Sequence, residues 1–261
     1  MITEDNVVKI ETEGMKQSSE FKIKADGKAF HLIFAGMYSD PIRAIIREIL
    51  SNATDSHVEA GCPDRPVKMQ LPSRLDETFS IRDFGVSMTD QFVTERFNTA
   101  FESTKDTSNT MLGGFGIGGK TPFVYTDTFS MRCWLDGKCR VYSAHLNENG
   151  CPAIVPVAEY DSDEERGVEV SFPVNPKDFN LFVEKAIEVA IAMKVRPECS
   201  NETFNDTLDE IEKAVVVDYD GLKIFSTSSA QIPYGDRIMA NIGGVIYPIS
   251  YHELDDTSFL N

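Results

Sequence analysis

The chain has no apolar run long enough to span a bilayer, no dense stretch of lysine and arginine, no C-x-x-C pair and no internal repeat. Each absence removes a class. A transmembrane helix needs about 20 consecutive apolar residues, and residues 1–16 have neither the apolar core of a signal peptide nor the arginine-rich character of a transit peptide. The expected location is therefore intracellular. Lysine and arginine number 25 against 42 aspartates and glutamates, a formal net charge of −17. Chain-wide attraction to nucleic acid or anionic lipid is not expected, although a local basic groove stays open. The five cysteines, Cys62, Cys133, Cys139, Cys151 and Cys199, are odd in number and stand apart from the four histidines. They are expected as free thiols packed as small apolar groups in a reducing compartment, not as a disulfide framework or a zinc site.

Core material is plentiful. The 261 residues are 41% hydrophobic and include 17 phenylalanines, enough for one large domain, or one domain and part of another. Two β-like runs, "FKIKA" and "FHLIFA", flank Asp26-Gly27 and predict a hairpin or paired edge. Asp40 caps and Pro41 opens a helix running to about Ala60, which Gly61 and Pro63 end. "PVKMQLPS" and "TFSIRDFG" read as strands joined by a polar turn, and "DQFVTERFNTAF" as a short helix. A polar segment, "ESTKDTSNTM", leads into a glycine-rich loop. Strands follow, with hairpin signals at Asp136-Gly137 and Asn149-Gly150. An amphipathic helix then stops at Pro197. Helices and antiparallel strands in separate runs predict an α+β fold.

Glu48, Asn52 and Asp55 stand at i, i+4 and i+7 of the first helix, within an arc of roughly 60°. Ile42, Ile45, Ile46, Ile49, Leu50 and Ala53 fill the adjoining face, so the polar trio borders the core stripe. Alone, such a trio reads as an ordinary solvated helix edge. Two later segments change that reading. "RDFGVSM" places Asp83 at a strand end before a flexible turn. "GGFGIGGKTPF" supplies a run of backbone N–H groups able to form an anion nest.

In this order and separation the three segments resemble the GHKL superfamily of nucleotide-binding domains. That superfamily is shared by gyrase-type topoisomerases, ninety-kilodalton heat-shock chaperones, sensor histidine kinases and MutL. The resemblance covers roughly residues 20–197: "REILSNATDS" matches the N-box, "DFGVSM" the first glycine box and "GGFGIGGKTPF" the second. It implies a Bergerat-type two-layer sandwich of a mixed, mostly antiparallel sheet with helices on one face. With it, an ATP-binding domain is expected over 1–199; the polar, acidic residues 200–220 read as a linker or irregular helix, and 221–261 as the start of a second β-rich unit.

The resemblance further implies Mg²⁺ and ATP as ligands, with Glu48 as the general base that deprotonates the attacking water. Asn52 would hold Mg²⁺ through its side-chain oxygen, Asp83 would accept the adenine amino proton, and Asp55 would support the pocket. Gly85 and Met88 belong to the first glycine box. Gly113, Gly114, Phe115, Gly116, Ile117, Gly118 and Gly119 would close over the phosphates, Lys120 adding a charge and Thr121 a hydroxyl. The segment "ESTKDTSNTM" would be a mobile lid. Two positions depart from the pattern. Ser87 stands where a glycine is usual, and Val168 stands where a Gly-Thr pair would bring a hydroxyl to adenine, a loss of about 1 kcal/mol.

Glu48 favours hydrolysis over transfer to histidine, and His57 is expected as a bland surface residue. The stretches "FGIGGKTPFVYTDTFSM", "GVEVSFPVNPKDFNLFVEKA" and "IMANIGGVIYPIS" resemble the bacteriophage rIIA lysis-inhibition proteins. That resemblance implies a protein of the infected host's cytoplasm, acting near the membrane through partners in lysis timing or exclusion. Its partners would be a second copy, a second phage protein or a host target, and not nucleic acid directly. The alternative reading is an interaction scaffold in which nucleotide is only a conformational ligand, or is dispensable.

Overall fold

A computed structural model describes residues 38–96, 118–219, 222–225, 238–242 and 245–249. The expected hairpin around Asp26-Gly27 and the proposed lid at 102–111 lie outside them.

Helix α1 (Pro41–Glu59) begins as its sequence dictates. The Asp40 carboxylate accepts the Arg43 N–H at 3.2 Å, and Pro41 occupies the first turn, where no N–H is needed. It ends in a Schellman motif. Gly61, at φ +76°, donates to Val58 O, and Cys62 N–H reaches back to His57 O at 2.9 Å.

The strands β1 (Lys68–Gln70), β2 (Thr78–Arg82), β3 (Thr128–Leu135), β4 (Lys138–Leu146), β5 (Pro152–Asp161), β6 (Gly167–Pro173) and β7 (Glu198–Cys199) form one seven-stranded sheet in the order β5-β4-β3-β6-β2-β1-β7. All pairings are antiparallel except β1 with β7. The β3–β4 loop is a two-residue turn in which Asp136 and Gly137 have φ +54° and +73°, as a type I′ hairpin requires.

Helix α2 (Asp90–Arg96) follows the Asp83 turn, and a short 3₁₀ helix (Gly118–Val124) packs on α1. Helices α3 (Phe179–Ala190) and α4 (Glu202–Lys213) complete the helical layer. One sheet face carries Phe79, Ile81, Phe129, Met131, Val168 and Phe172 into a single core with the buried isoleucines of α1 and with Phe182 of α3. On the other face, alternation puts Ser80, Ser171, Ser130 and Ser143 in one cross-strand row and Arg82, Glu169 and Arg132 in the next. The fold is therefore α+β, a mixed sheet covered by helices. Its helical layer is tied at the α1–α3 contact by Lys185, 2.6 Å from Glu188 and 3.3 Å from Asp40.

The stretch expected as a linker or irregular helix differs from that expectation. Residues 202–213 form a regular helix, capped by Asn201, and its Phe204, Leu208 and Ile211 join the same core. Arg196 fastens it by contacts to Asp209 and Asn205. Strands β8 (Val215–Tyr219) with β9 (Leu222–Phe225), and β10 (Ile238–Ile242) with β11 (Val245–Ile249), pair as two antiparallel hairpins. All five cysteines are free; Cys133 and Cys139 are buried, and burial pushes the Cys133 thiol up to about 12.

Candidate nucleotide-binding site

The polar trio of α1 turns progressively inward toward the helix C-terminus. Glu48 and Asn52 are half-buried, whereas Asp55 is 4% exposed. Glu48 pairs with its neighbour Arg47 at 2.8 Å. Its charge also reaches Tyr38, whose phenol is pushed above its ordinary value by burial and then by Glu48. Among the described residues no cluster of three or more His, Cys, Asp or Glu side chains is disposed to hold a metal. Asn52 offers a single neutral oxygen.

Asp83 directly follows β2 and is 6% exposed. Its Oδ1 accepts the Gly85 N–H at 2.9 Å and the Ser56 hydroxyl at 3.2 Å, and its Oδ2 accepts the Val168 N–H at 3.3 Å. Oδ1 is thus saturated, while Oδ2 keeps a lone pair for another donor. Burial raises the carboxyl to about 6, against the lowering effect of those three donors and of the Arg82 charge. It remains mostly ionised at pH 7.

The turn after Asp83 is fixed on both sides. Four consecutive N–H groups have partners: Asp83 on Val168 O, Phe84 on His57 Nε2, Gly85 on Asp83 Oδ1, and Val86 on Ser56 O. The carbonyls are held too. Arg82 donates to Asp83 O and Arg166 to Gly85 O at 3.0 Å, while Val86 O lies 2.9 Å from the Ser56 hydroxyl, whose single proton it shares with Asp83 Oδ1. A backbone with this many partners has little freedom to rearrange. Gly85 is required because a Cβ there would meet Ser56 at 2.3 Å. Gly167 is required because its φ is +143° and a Cβ would lie 2.2 Å from Asp83 O.

Arg82 is buried between Trp134, 3.8 Å from the ring centroid, and Phe84, at 4.9 Å; Arg65 lies over Phe84 at 4.0 Å. This alternation of rings and guanidiniums braces the turn from the far side of the sheet.

A scan of protein-family models and a search of curated proteins find no match to the chain. The arrangement therefore rests on its own geometry. The structure brings Glu48, Asn52, Asp55, Asp83 and Gly85 onto α1 and the turn docked against it, with Met88 packed at the edge of the core. Lys120 and Thr121 are buried in the 3₁₀ helix that packs on α1, at 5% and 0% exposure, and burial brings the Lys120 ammonium down to about 8. Gly118 and Gly119 open that helix. Gly113, Gly114, Phe115, Gly116 and Ile117 lie outside the described residues.

One expectation changes, and one departure from the pattern gains a partner. His57 is not a surface residue: it is 1% exposed and bonds the Phe84 N–H. Ser87, in place of a glycine, donates to Gly167 O at 3.0 Å and so ties the turn to β6. Sequence reading missed Ser56, Arg82, Arg166 and Gly167 as parts of the site. Only His57 carried a signal, since it extends the Ile46, Leu50, Ala53 stripe at helical spacing. An open cleft of about 340 Å³, lined by Asp90, Arg140, Tyr142 and residues 156–159, contains none of the residues singled out from the sequence.

Proposed function

We propose that this chain binds Mg²⁺ and ATP and hydrolyses the γ-phosphate. The observation that carries the reading is Asp83: a buried carboxylate, oriented by three donors, with one oxygen left to accept an amine proton. Its turn is docked on the helix that carries Glu48 and Asn52. Glu48 and Ser56 are eight residues apart, about 12 Å along the axis, a span suited to an extended nucleoside triphosphate.

In this reading Asp83 Oδ2 accepts the adenine N6–H. Asn52 would hold Mg²⁺, which when bound offsets the phosphate charge. Glu48 takes the proton of the attacking water, and the glycine-rich loop with Lys120 receives the phosphates, so catalysis is positioning plus electrostatics. Following the rIIA resemblance, ATP-driven closure would serve contact with a second copy, a phage partner or a membrane-proximal host target inside the infected cell.

One observation favours a second reading, in which ATP is bound as a conformational ligand without turnover. The carboxylate assigned as base is already paired with Arg47 at 2.8 Å. Phosphate release by wild type, Glu48→Ala and Arg47→Ala separates the two. Hydrolysis requires turnover by wild type that falls at least about 100-fold in Glu48→Ala while ATP binding is kept. Binding without turnover in wild type and Arg47→Ala alike supports the conformational role, and turnover unchanged in Glu48→Ala removes that residue as base.

A further inference from the structure

We infer that Ser56 is a positioning residue of the base-binding end, its hydroxyl holding Asp83 so that a single carboxylate oxygen faces the ligand. The inference rests on the ATP-binding reading. Ser56 stands on α1 one residue beyond Asp55, where its Oγ has two acceptors, Asp83 Oδ1 at 3.2 Å and Val86 O at 2.9 Å. It has one proton to give. With Asp83 ionised, the charge-assisted bond to Oδ1 is the stronger. With Asp83 protonated, the proton turns to Val86 O. The hydroxyl therefore stabilises the ionised carboxylate, the form that accepts an amine proton, and opposes the burial that disfavours it.

The placement is not incidental to packing. Gly85 comes so close to Ser56 that no side chain fits between them, and the Val86 N–H also bonds the Ser56 carbonyl at 3.4 Å. Among the described residues Ser56 brings the one side-chain hydroxyl to Asp83; the other two donors are backbone. Val168 contributes its N–H, but its side chain is aliphatic.

The charged and titratable groups around Asp83 include Arg166 of the loop before β6, which donates to Gly85 O, and buried Asp55 beside Ser56 on α1, both unchanged by a substitution at Ser56. Arg82 on β2 stays cationic. Cys133 on β3 is neutral at any ordinary pH, its thiol pushed up to about 12. His57 on α1 is held neutral by burial. Lys120, in the 3₁₀ helix packed on α1, titrates near 8 and is the same in wild type and variant, so it cancels in their ratio.

The test is Ser56→Ala, a substitution that favours the helix, with two readouts on the full chain. The Asp83 carboxyl is titrated by NMR without nucleotide, and Mg·ATP affinity is measured by calorimetry from pH 6.5 to 8. The expected result is an Asp83 titration displaced upward by about one unit. ATP binding is then weakened about threefold at pH 6.5 and hardly at all at pH 8. A loss equal at every pH, or an unmoved Asp83 titration, overturns the positioning role. No ATP binding by wild type overturns the underlying reading, and this inference with it, whereas wild-type binding with an indifferent Ser56→Ala overturns this inference alone.

Discussion

The His57 ring joins two segments through its two nitrogens: Nε2 accepts the Phe84 N–H at 2.8 Å, and Nδ1 lies 3.0 Å from the Arg65 carbonyl. Only the neutral tautomer with its proton on Nδ1 satisfies both contacts. The imidazole thus pins the turn carrying Asp83 to the C-terminal end of α1 and to the chain that follows it. Burial holds His57 below its ordinary value, the Arg65 carbonyl acting the other way.

A pH dependence follows. An unfolded chain protonates His57 below about pH 6.5, before the native state does. The stability from neutral His57 is therefore complete above that pH and is lost as the pH falls toward the lowered native value. Asp83 has the opposite sign. Its carboxyl is raised from 3.8 to about 6, so its contribution is complete below the lower value and is lost as the pH rises through the upper one. Replacing His57 by Ala should destabilise by about 1–3 kcal/mol at pH 7.5, since the Phe84 N–H loses its partner. In urea denaturation that difference should shrink between pH 7.5 and 5. A difference constant across the range would contradict the neutral tautomer.

The two glycines of the site are predicted to be irreplaceable for steric reasons. Gly85→Ala forces the new methyl into Ser56, and Gly167→Ala forces it into Asp83 O at a backbone angle that disfavours any side chain. Each should lower stability by about 1–3 kcal/mol. Gly61→Ala meets open space but keeps φ at +76°, so it should destabilise less. Thermal melts of the three variants rank them. A Gly61→Ala protein less stable than the other two would count against the close approach.

Helix α4 should behave as part of the core. Phe204 is fully buried in the common cluster, and Phe204→Ala should destabilise by about 3–5 kcal/mol. A chain ending at Cys199 should lose cooperative unfolding at 37 °C. A truncated chain as stable as the whole would restore the linker expectation.

These elements show what a sequence makes legible. Helix α1 was readable to the residue at its start, because Asp40 and Pro41 are local signals, and the Asp136-Gly137 hairpin was readable for the same reason. The position of Asp83 at a strand end was readable from "TFSIRDFG", but its burial was not, since the strand alternates polar and apolar residues. Helix α4 was obscured because its polar face dominates the composition of 202–213, and only Phe204, Leu208 and Ile211 at helical spacing mark the buried side. Ser56, Arg82 and Arg166 were invisible for another reason. Each acts across 27 or more positions of chain, or through a backbone carbonyl of the turn, and no local pattern encodes such a contact. Gly167 looked like a strand start, while its need for a left-handed angle arises from the approach of Asp83 O.

The most direct test of the account is calorimetric titration of Mg·ATP into wild type and Asp83→Asn at pH 7.5. The substitution keeps the size of the side chain but replaces the ionised acceptor with an amide. The account predicts saturable binding by wild type that weakens at least about 100-fold in the variant, the order expected when a charged hydrogen bond is lost and a buried group is left unpaired. Equal affinity in the two proteins, or no binding by wild type, would contradict it.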